Sequence, residues 1–182
     1  GWLSQLRQRA QLFYRPGGLK GPFQLRAWMY HLALCALGRA ELPDRTVLVG
    51  YRSSGGGKVE RLGFRPVASD QARDWLADLV ALHGLGQRLP LRLFPGASWA
   101  YAEAAADEAK ARRAARSAWQ ADAWSDGDEA DPVVRRLWTG EDPLGEPAPP
   151  GLTGAPEAEL SFERLALRVY GPLLDHREEV AP

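Results

Sequence analysis

The segment from Gly21 to Gly38 constrains the fold more than any other part of the sequence. Its apolar side chains recur at three- and four-residue spacing, the repeat of one helix face; they are Leu25, Trp28, Met29, Leu32, Cys35 and Ala36. Pro22 falls in the first turn, where a missing N–H costs little, and Gly38 is placed to end the helix. The sequence therefore predicts a helix here, packed against a sheet.

Short apolar runs on both sides of this helix predict the strands of that sheet. The run Thr46–Tyr51 is rich in β-branched residues, and the alternating run Lys58–Val67 is predicted to be its hairpin partner. Three more strands are predicted, at Gly1–Leu6, Gln11–Arg15 and Leu89–Phe94. The order is β-β-α-β-β-α-β followed by helices, which indicates an α/β (α+β) fold with a mixed central sheet flanked by helices.

The other helices are predicted mainly from the residues at their ends. Ser69 is a good N-cap for a second helix, which the glycines at 84 and 86 end. Ser98 starts an alanine-rich helix that reaches Gln120. A short helix follows at Pro132–Trp138, and an amphipathic helix at Glu157–Leu174 is the last element.

The whole chain, residues 1–182, is predicted to be a single domain. Residues 140–156 contain five prolines and four glycines, which predicts a surface connection. The chain begins Gly-Trp-Leu without a methionine or a signal-peptide pattern, so we expect a fragment of a longer protein.

Cysteine usage and hydropathy indicate the compartment. No apolar run approaches the roughly 18 residues that a membrane span needs, so no membrane partner is expected. The single cysteine, Cys35, excludes an internal disulfide and suits a reducing cytoplasm, which is the expected location. Because Cys35 lies within an apolar run, we expect it to be buried and unreactive.

Charge is distributed unevenly along a chain whose net charge is zero. Residues 1–70 hold 11 Lys and Arg against 4 Asp and Glu. This surplus of positive charge allows a basic face towards phosphates, since non-specific phosphate contacts need only positive charge. The candidate DNA contacts are Arg7, Arg9, Arg15 and Lys20, and the alternative is that these side chains form a solvated surface.

The sequence offers little for catalysis or metal binding. The three histidines, His31, His83 and His176, are scattered and form no ligand pair with the single cysteine. Residues 1–40 contain no Asp or Glu, whereas a metal-dependent phosphodiesterase needs two or three converging carboxylates. We therefore expect no catalytic residue, no metal and no cofactor in this domain.

Four of the seven tryptophans cluster around predicted helix ends and loops. One interpretation is that they cap the core. The other is a partner surface, because tryptophan is over-represented in interface hot spots. The candidate interface residues are Trp99, Trp119, Trp124 and Trp138.

Five segments, in order along the chain, carry a resemblance to a known family. They are GWLSQLRQRAQLFYRPGGLKG, QLRAWMYHLALCALG, DQARDWLADLVALHGLGQRLPLRLFPGASWAYAEA, DPVVRRLWTGEDPL and SFERLALRVYGPLLDH. Together they resemble the C-terminal domain of RecC, the gamma subunit of exodeoxyribonuclease V. That domain is a degenerate relative of the PD-(D/E)xK nucleases, so the resemblance implies a restriction-endonuclease-like core with extra C-terminal helices.

The resemblance also implies which catalytic positions have changed. Ser4 falls where the first aspartate of an active nuclease would be, and Tyr14 where the second acid would be. Pro16 takes the position of the lysine and Arg26 that of a helix glutamine, while Tyr30 matches the family tyrosine. The nuclease pattern is thus implied to survive without its metal-binding chemistry.

The function implied by the resemblance is that of a non-catalytic scaffold. The parent enzyme is an ATP-driven helicase–nuclease that processes double-strand DNA ends for repair and recombination, with ATP and Mg²⁺ used by its partner subunits. This domain would dock the RecB and RecD subunits and lie near the incoming duplex. Two alternatives remain open: an active Mg²⁺ nuclease whose ligands moved to Glu41, Asp44 or Glu60, and a free-standing adaptor.

Overall fold

A four-stranded mixed sheet is built from β1 (Gln11–Tyr14), β2 (Thr46–Arg52), β3 (Lys58–Phe64) and β4 (Arg177–Glu179), in the spatial order β1-β2-β3-β4. Strand β1 is parallel to β2, and the other two pairs are antiparallel. The structure is a computed structural model, and it describes residues 3, 5–52, 57–121, 126–145 and 160–181. The prediction of a mixed sheet flanked by helices is confirmed.

Helix α1 (Gly21–Leu37) makes the crossover that two parallel strands require. Pro22 lies in its first turn, and Gly38 ends it in the left-handed conformation at φ 60°, with its N–H bonded to the carbonyl of Cys35. The predicted start and end of this helix are both confirmed. Its inner face packs on the sheet through Trp28, whose ring lies 5.1 Å from that of Phe64.

The chain divides into two compact units, Gly1–Ala81 with Asp175–Pro182, and Leu82–Leu174. The first unit contains the sheet and α1, and helix α2 (Ser69–Gly86) starts in it as predicted. Whether the chain acts as a single domain stays a prediction. Of the helices in the described residues, none combines the length and the apolarity that crossing a membrane demands.

The second unit is helical. Its elements are α3 (Pro95–Glu103), α4 (Glu108–Trp119), a 3-10 turn at Asp128–Ala130, α5 (Pro132–Leu137) and α6 (Phe162–His176). Its core is a cluster of buried rings around Phe94, which include Tyr101, Trp119, Trp138 and Phe162. Pro143 and Leu144, at the start of the predicted surface connection, are buried, and residues 146–156 lie outside the described part of the chain.

Two predictions for the second unit are wrong. The segment Leu89–Phe94 is not a strand; Phe94 is instead the N-cap of α3, and its N–H donates to the Ser98 hydroxyl at 2.9 Å. The predicted helix from Ser98 to Gln120 is two helices, because Asp107 accepts the Lys110 N–H at 3.0 Å and so starts a new helix.

Two predictions for the first unit also need correction. Within the described part of residues 1–6, the predicted strand is reduced to an isolated bridge between Leu6 and Gln11. Strand β4 was not predicted, because its sequence, Arg-Glu-Glu, carries no apolar signal. It pairs with the last three residues of β3, Leu62–Phe64.

Candidate functional site

The end of β1 and the turn after it carry Tyr14 and Pro16, the two residues that the resemblance compares with the second acid and the lysine of a nuclease. Tyr14 is the last residue of β1, pairs with Val49 of β2, and is 71% exposed. Pro16 is exposed in the turn that follows. Neither side chain offers a carboxylate or an amine at this position. Ser4, the first of the altered positions, lies outside the described residues.

The turn after β1 closes onto the last residues of β2. The Gly17 carbonyl accepts the Tyr51 N–H at 2.9 Å. A Cβ added at Gly50 would lie 2.8 Å from that carbonyl oxygen and 2.8 Å from the side chain of Leu19. Gly50 therefore allows the turn to contact the backbone of β2 directly, and the turn fills the space beside this strand.

Glu60 is the acid that the sheet places beside this turn, since it pairs with Gly50 in the register of β2 and β3. Its Oε1 accepts the Arg52 guanidinium at 3.1 Å, and its Oε2 accepts the Leu19 N–H at 3.4 Å. Both oxygens already have protein partners. The carboxylate thus ties the turn to the hairpin.

The other two acids of the nuclease alternative lie in the loop between α1 and β2. Glu41 is exposed and lies 3.9 Å from the Arg39 guanidinium, and Asp44 is also exposed. Across the residues that the structure describes, no three His, Cys, Asp or Glu side chains come together in a group that could hold a metal ion. These residues do not fit a Mg²⁺ centre, for which several carboxylate oxygens must converge.

Arg26 and Tyr30, the two helix residues that the resemblance compares with a nuclease pattern, lie on α1. Tyr30 is half-buried, and its ring packs on that of Phe13 at 5.6 Å, which joins the helix to β1. Arg26 is exposed and points away from the sheet core. Tyr30 therefore has a packing role, while Arg26 is free to contact another molecule.

The four candidate DNA contacts all lie close to β1 in the chain. Arg7, Arg9 and Lys20 are exposed, and the guanidinium of Arg15 lies over the ring of Phe23 at 5.4 Å. None of the four forms a salt bridge with another described residue. Their charges are therefore not neutralised by the described part of the chain, but a DNA contact stays a prediction.

His31 lies in the core, not at a site. Its Nδ1 is 3.1 Å from the Thr46 hydroxyl and its Nε2 is 3.0 Å from the Arg65 carbonyl. In the neutral ring, Nε2–H donates to the carbonyl and Nδ1 accepts from the hydroxyl. Burial lowers the pKa of His31 to about 4, so the ring is neutral at pH 7. Burial also raises the pKa of the neighbouring Cys35 thiol, which is buried as predicted.

The described candidate tryptophans pack within the second unit. The rings of Trp119 and Trp138 lie edge-on to Phe94 at 4.7 and 6.3 Å, and both side chains are buried. Trp99 is half-buried and packs edge-on to Tyr170 at 5.4 Å. These contacts account for the rings as core residues, whereas an interface role stays a prediction. Trp124 lies outside the described residues.

The prediction that Met29 shares the packed face of α1 with Trp28 and Leu32 is wrong, and the surface to which Met29 belongs was not predicted. The side of α1 that faces away from the sheet carries Met29, Ala33 and Leu37, of which Met29 and Leu37 are 41% and 47% exposed. The sequence pattern that could have indicated this surface is the spread of apolar residues around α1, because a surface helix usually has a polar outer face.

These observations define the class of protein: a mixed α/β protein with a four-stranded sheet and six helices in the described residues. The family model of the RecC C-terminal domain matches residues 1–106, more than half of the 182-residue chain. The chain belongs to the RecC C-terminal domain family. A comparison with individual curated proteins found no match. Family membership implies a role in the RecBCD complex, with RecB and RecD, in DNA repair and recombination.

Proposed function

We propose that this chain is a non-catalytic scaffold domain of a RecBCD-type helicase–nuclease, which docks partner subunits and lies near the incoming duplex. The observation that carries the proposal is the end of β1. There, Tyr14 and Pro16 occupy the positions that the resemblance assigns to an acid and a lysine, and the turn that follows closes onto Gly50. Family membership supplies the complex in which the domain acts.

Chemistry supports the absence of catalysis. Metal-dependent hydrolysis of a phosphodiester needs carboxylates that hold Mg²⁺ and position a water molecule. Glu60 is engaged by Arg52 and by the Leu19 N–H, and its oxygens form part of the scaffold. We include in the proposal that the sheet and α1 form a restriction-endonuclease-like core, which the parallel β1–β2 pair and its helical crossover support.

Charge supports proximity to DNA. Arg7, Arg9, Arg15 and Lys20 carry positive charges that no described carboxylate neutralises. Contacts of this kind go to phosphates and carry no sequence information. The expected mode is therefore weak, non-specific binding of duplex DNA that falls steeply with added salt.

Binding to the partner subunits is the first test. The tagged chain is mixed with purified RecB and with purified RecD, each alone, and capture is measured. We expect stable capture of at least one subunit. Capture of neither would leave the free-standing adaptor as the better description and would overturn the proposal.

A nuclease assay is the second test. The chain is incubated with linear duplex DNA and Mg²⁺, alongside an active nuclease in the same buffer as the positive control. We expect no cleavage by the wild-type chain or by Glu60→Ala. Cleavage that the wild type shows and Glu60→Ala loses would establish the active-nuclease alternative.

A further inference from the structure

The outer face of α1, defined here as Arg26, Met29, Ala33 and Leu37, is an apolar stripe on an exposed helix surface. Met29, Ala33 and Leu37 follow one another at four-residue steps, so their side chains line up along one side of the helix. Met29 and Leu37 are 41% and 47% exposed. The opposite side packs in the core through Ala27, Trp28, His31, Leu32, Leu34 and Cys35.

This arrangement differs from that of an ordinary surface helix. Single exposed apolar residues are common on protein surfaces, but a helix that is apolar all round is normally covered on all sides. On the outer face of α1, Arg26 is the residue that carries a charge. The stripe is therefore a surface suited to burial by another molecule.

The charges on α1 and directly before it are positive, whereas the two carboxylates near its C-terminal end, Glu41 and Asp70, are each paired with an arginine. Helix α1 contains no Asp or Glu, and cations stand before it, on it and after it, at Lys20, Arg26 and Arg39. Lys20 and Arg26 form no salt bridge with a described residue, and Arg39 lies 3.9 Å from Glu41 with both side chains largely exposed. A complementary surface would be apolar with carboxylates at its margins.

We propose that the outer face of α1 is the surface through which this domain docks a partner subunit, and that the docked segment is an apolar helix flanked by Asp and Glu. The inference rests on the proposed function, which supplies the partner subunits. Docking of this kind uses apolar side chains at helical spacing as anchors, while the flanking charges set the orientation.

The chemistry of the stripe favours this occupant over two others. Met29, Ala33 and Leu37 offer no hydrogen-bond donor to a phosphate, so a DNA backbone would leave the stripe without a matching contact. A second copy of the chain, packed symmetrically, would bring equal positive charges together. An acidic, apolar protein segment meets neither obstacle.

The test compares charge insertions at exposed apolar positions inside and outside the stripe. Met29→Glu combined with Leu37→Glu places carboxylates against the apolar side chains expected on the partner and close to its flanking carboxylates, and we expect affinity for RecB or RecD to fall at least tenfold. Val133→Glu is the matched control, because Val133 is 65% exposed on α5 and outside the stripe. It should bind like the wild type. Circular dichroism and Tm establish that each variant is folded.

Two further measurements identify the occupant. Arg26→Glu should weaken the same interaction several-fold and reduce its dependence on salt, since it removes a cation opposite an acidic segment. A photo-crosslinking amino acid at Ala33 should attach to a partner peptide that is apolar with flanking Asp or Glu. Attachment to a peptide rich in Lys and Arg would contradict the proposal.

The remaining outcomes separate this inference from the proposed function. If the wild type binds a subunit and the double variant binds it equally well, the surface is wrong while the scaffold function stands. If the wild type binds neither subunit, both proposals fail. If the double variant loses duplex binding but still binds the subunit, the stripe is a DNA surface. If the wild type sediments as a dimer and the double variant as a monomer, the stripe is a self-association surface. Either result overturns the inference.

Discussion

The two units of the chain are stabilised by different kinds of contact. In the first unit, buried polar side chains of α1 tie other segments to the helix: His31 links Thr46 to Arg65, and Gln24 donates to the carbonyl of Leu19, in the turn before the helix, at 2.7 Å. In the second unit, rings packed on Phe94 fill the core, and a carboxylate caps a helix. The stability of the first unit therefore depends on a protonation state as well as on ring packing, while that of the second unit depends on ring packing and helix caps.

The largest expected effect is the loss of the ring at the centre of the first unit. Trp28 is buried, and its ring lies between 5.1 and 5.9 Å from the rings of His31, Phe64, Trp75 and His176. Trp28→Ala should lower the free energy of unfolding by about 3–5 kcal/mol. Urea denaturation measures this. Met29→Ala, the next residue on the outer face, should cost under about 1 kcal/mol, and equal effects would show that α1 does not pack as described.

The next largest effect is a pH dependence that belongs to the first unit. The pKa of His31 is about 4 in the folded chain and 6.5 when unperturbed, because burial disfavours the charged ring. The neutral ring's contribution to stability is complete above pH 6.5 and is lost as the pH falls towards 4. We expect a loss of about 3 kcal/mol over this range, measured by urea denaturation at several pH values.

A variant separates His31 from other titrating groups. His31→Gln replaces the imidazole with an amide that can hydrogen-bond but cannot titrate, so the stability of this variant should vary less between pH 6.5 and 4. If the stability of this variant depended on pH as strongly as that of the wild type, a group other than His31 would cause the pH dependence.

In the second unit, the Arg116 guanidinium lowers the pKa of Asp142, so the contribution of that ion pair to stability is lost only below the usual pKa of a carboxyl group.

A smaller effect tests the turn at the candidate site. Gly50→Ala would place a Cβ 2.8 Å from the Gly17 carbonyl oxygen, so the turn after β1 has to shift. The expected cost is about 1–3 kcal/mol, as for overpacking in a core. Gly18→Ala is the control, because a Cβ there meets no atom within 4 Å. Thermal unfolding should distinguish the two, and equal Tm values would mean that the turn does not contact β2.

The smallest effect tests the helix cap of the second unit. Asp128 accepts the N–H groups of Gly96 and Ala97, at 3.0 and 2.6 Å, and so caps the start of α3. Asp128→Ala should destabilise the chain by about 1 kcal/mol. Asp126→Ala, at an exposed carboxylate with no such contact, should stay within about 0.5 kcal/mol. Identical unfolding curves for the two variants would show that the Asp128 cap does not stabilise the chain.

Local signals explain which elements were predictable. The limits of α1 follow from Pro22 and Gly38, whose backbone preferences act within a few residues. The β2–β3 hairpin follows from its apolar patterns. Strand β4 could not be predicted, because its pairing with β3 depends on contacts across more than a hundred residues and its sequence is polar.

The candidate site was predictable in its residue types but not in its contacts. The absence of acids from residues 1–40 is visible in the sequence, and so is the position of Tyr14 at a strand end. The sequence does not show that the turn closes onto Gly50, nor which two groups bind Glu60, because both depend on the strand register. The outer face of α1 was missed because it is defined only when the other side of the helix is seen to be buried.

The position of β4 has a consequence for synthesis on the ribosome. Leu62, Gly63 and Phe64 pair with residues 177–179, so the outer edge of β3 lacks its neighbouring strand until the whole of the second unit has been made. At 5–20 residues per second this delay lasts about 6–20 s, which is long compared with the formation of a hairpin. An unpaired strand edge is a template for pairing with other chains, so the nascent first unit is most prone to aggregation during this interval.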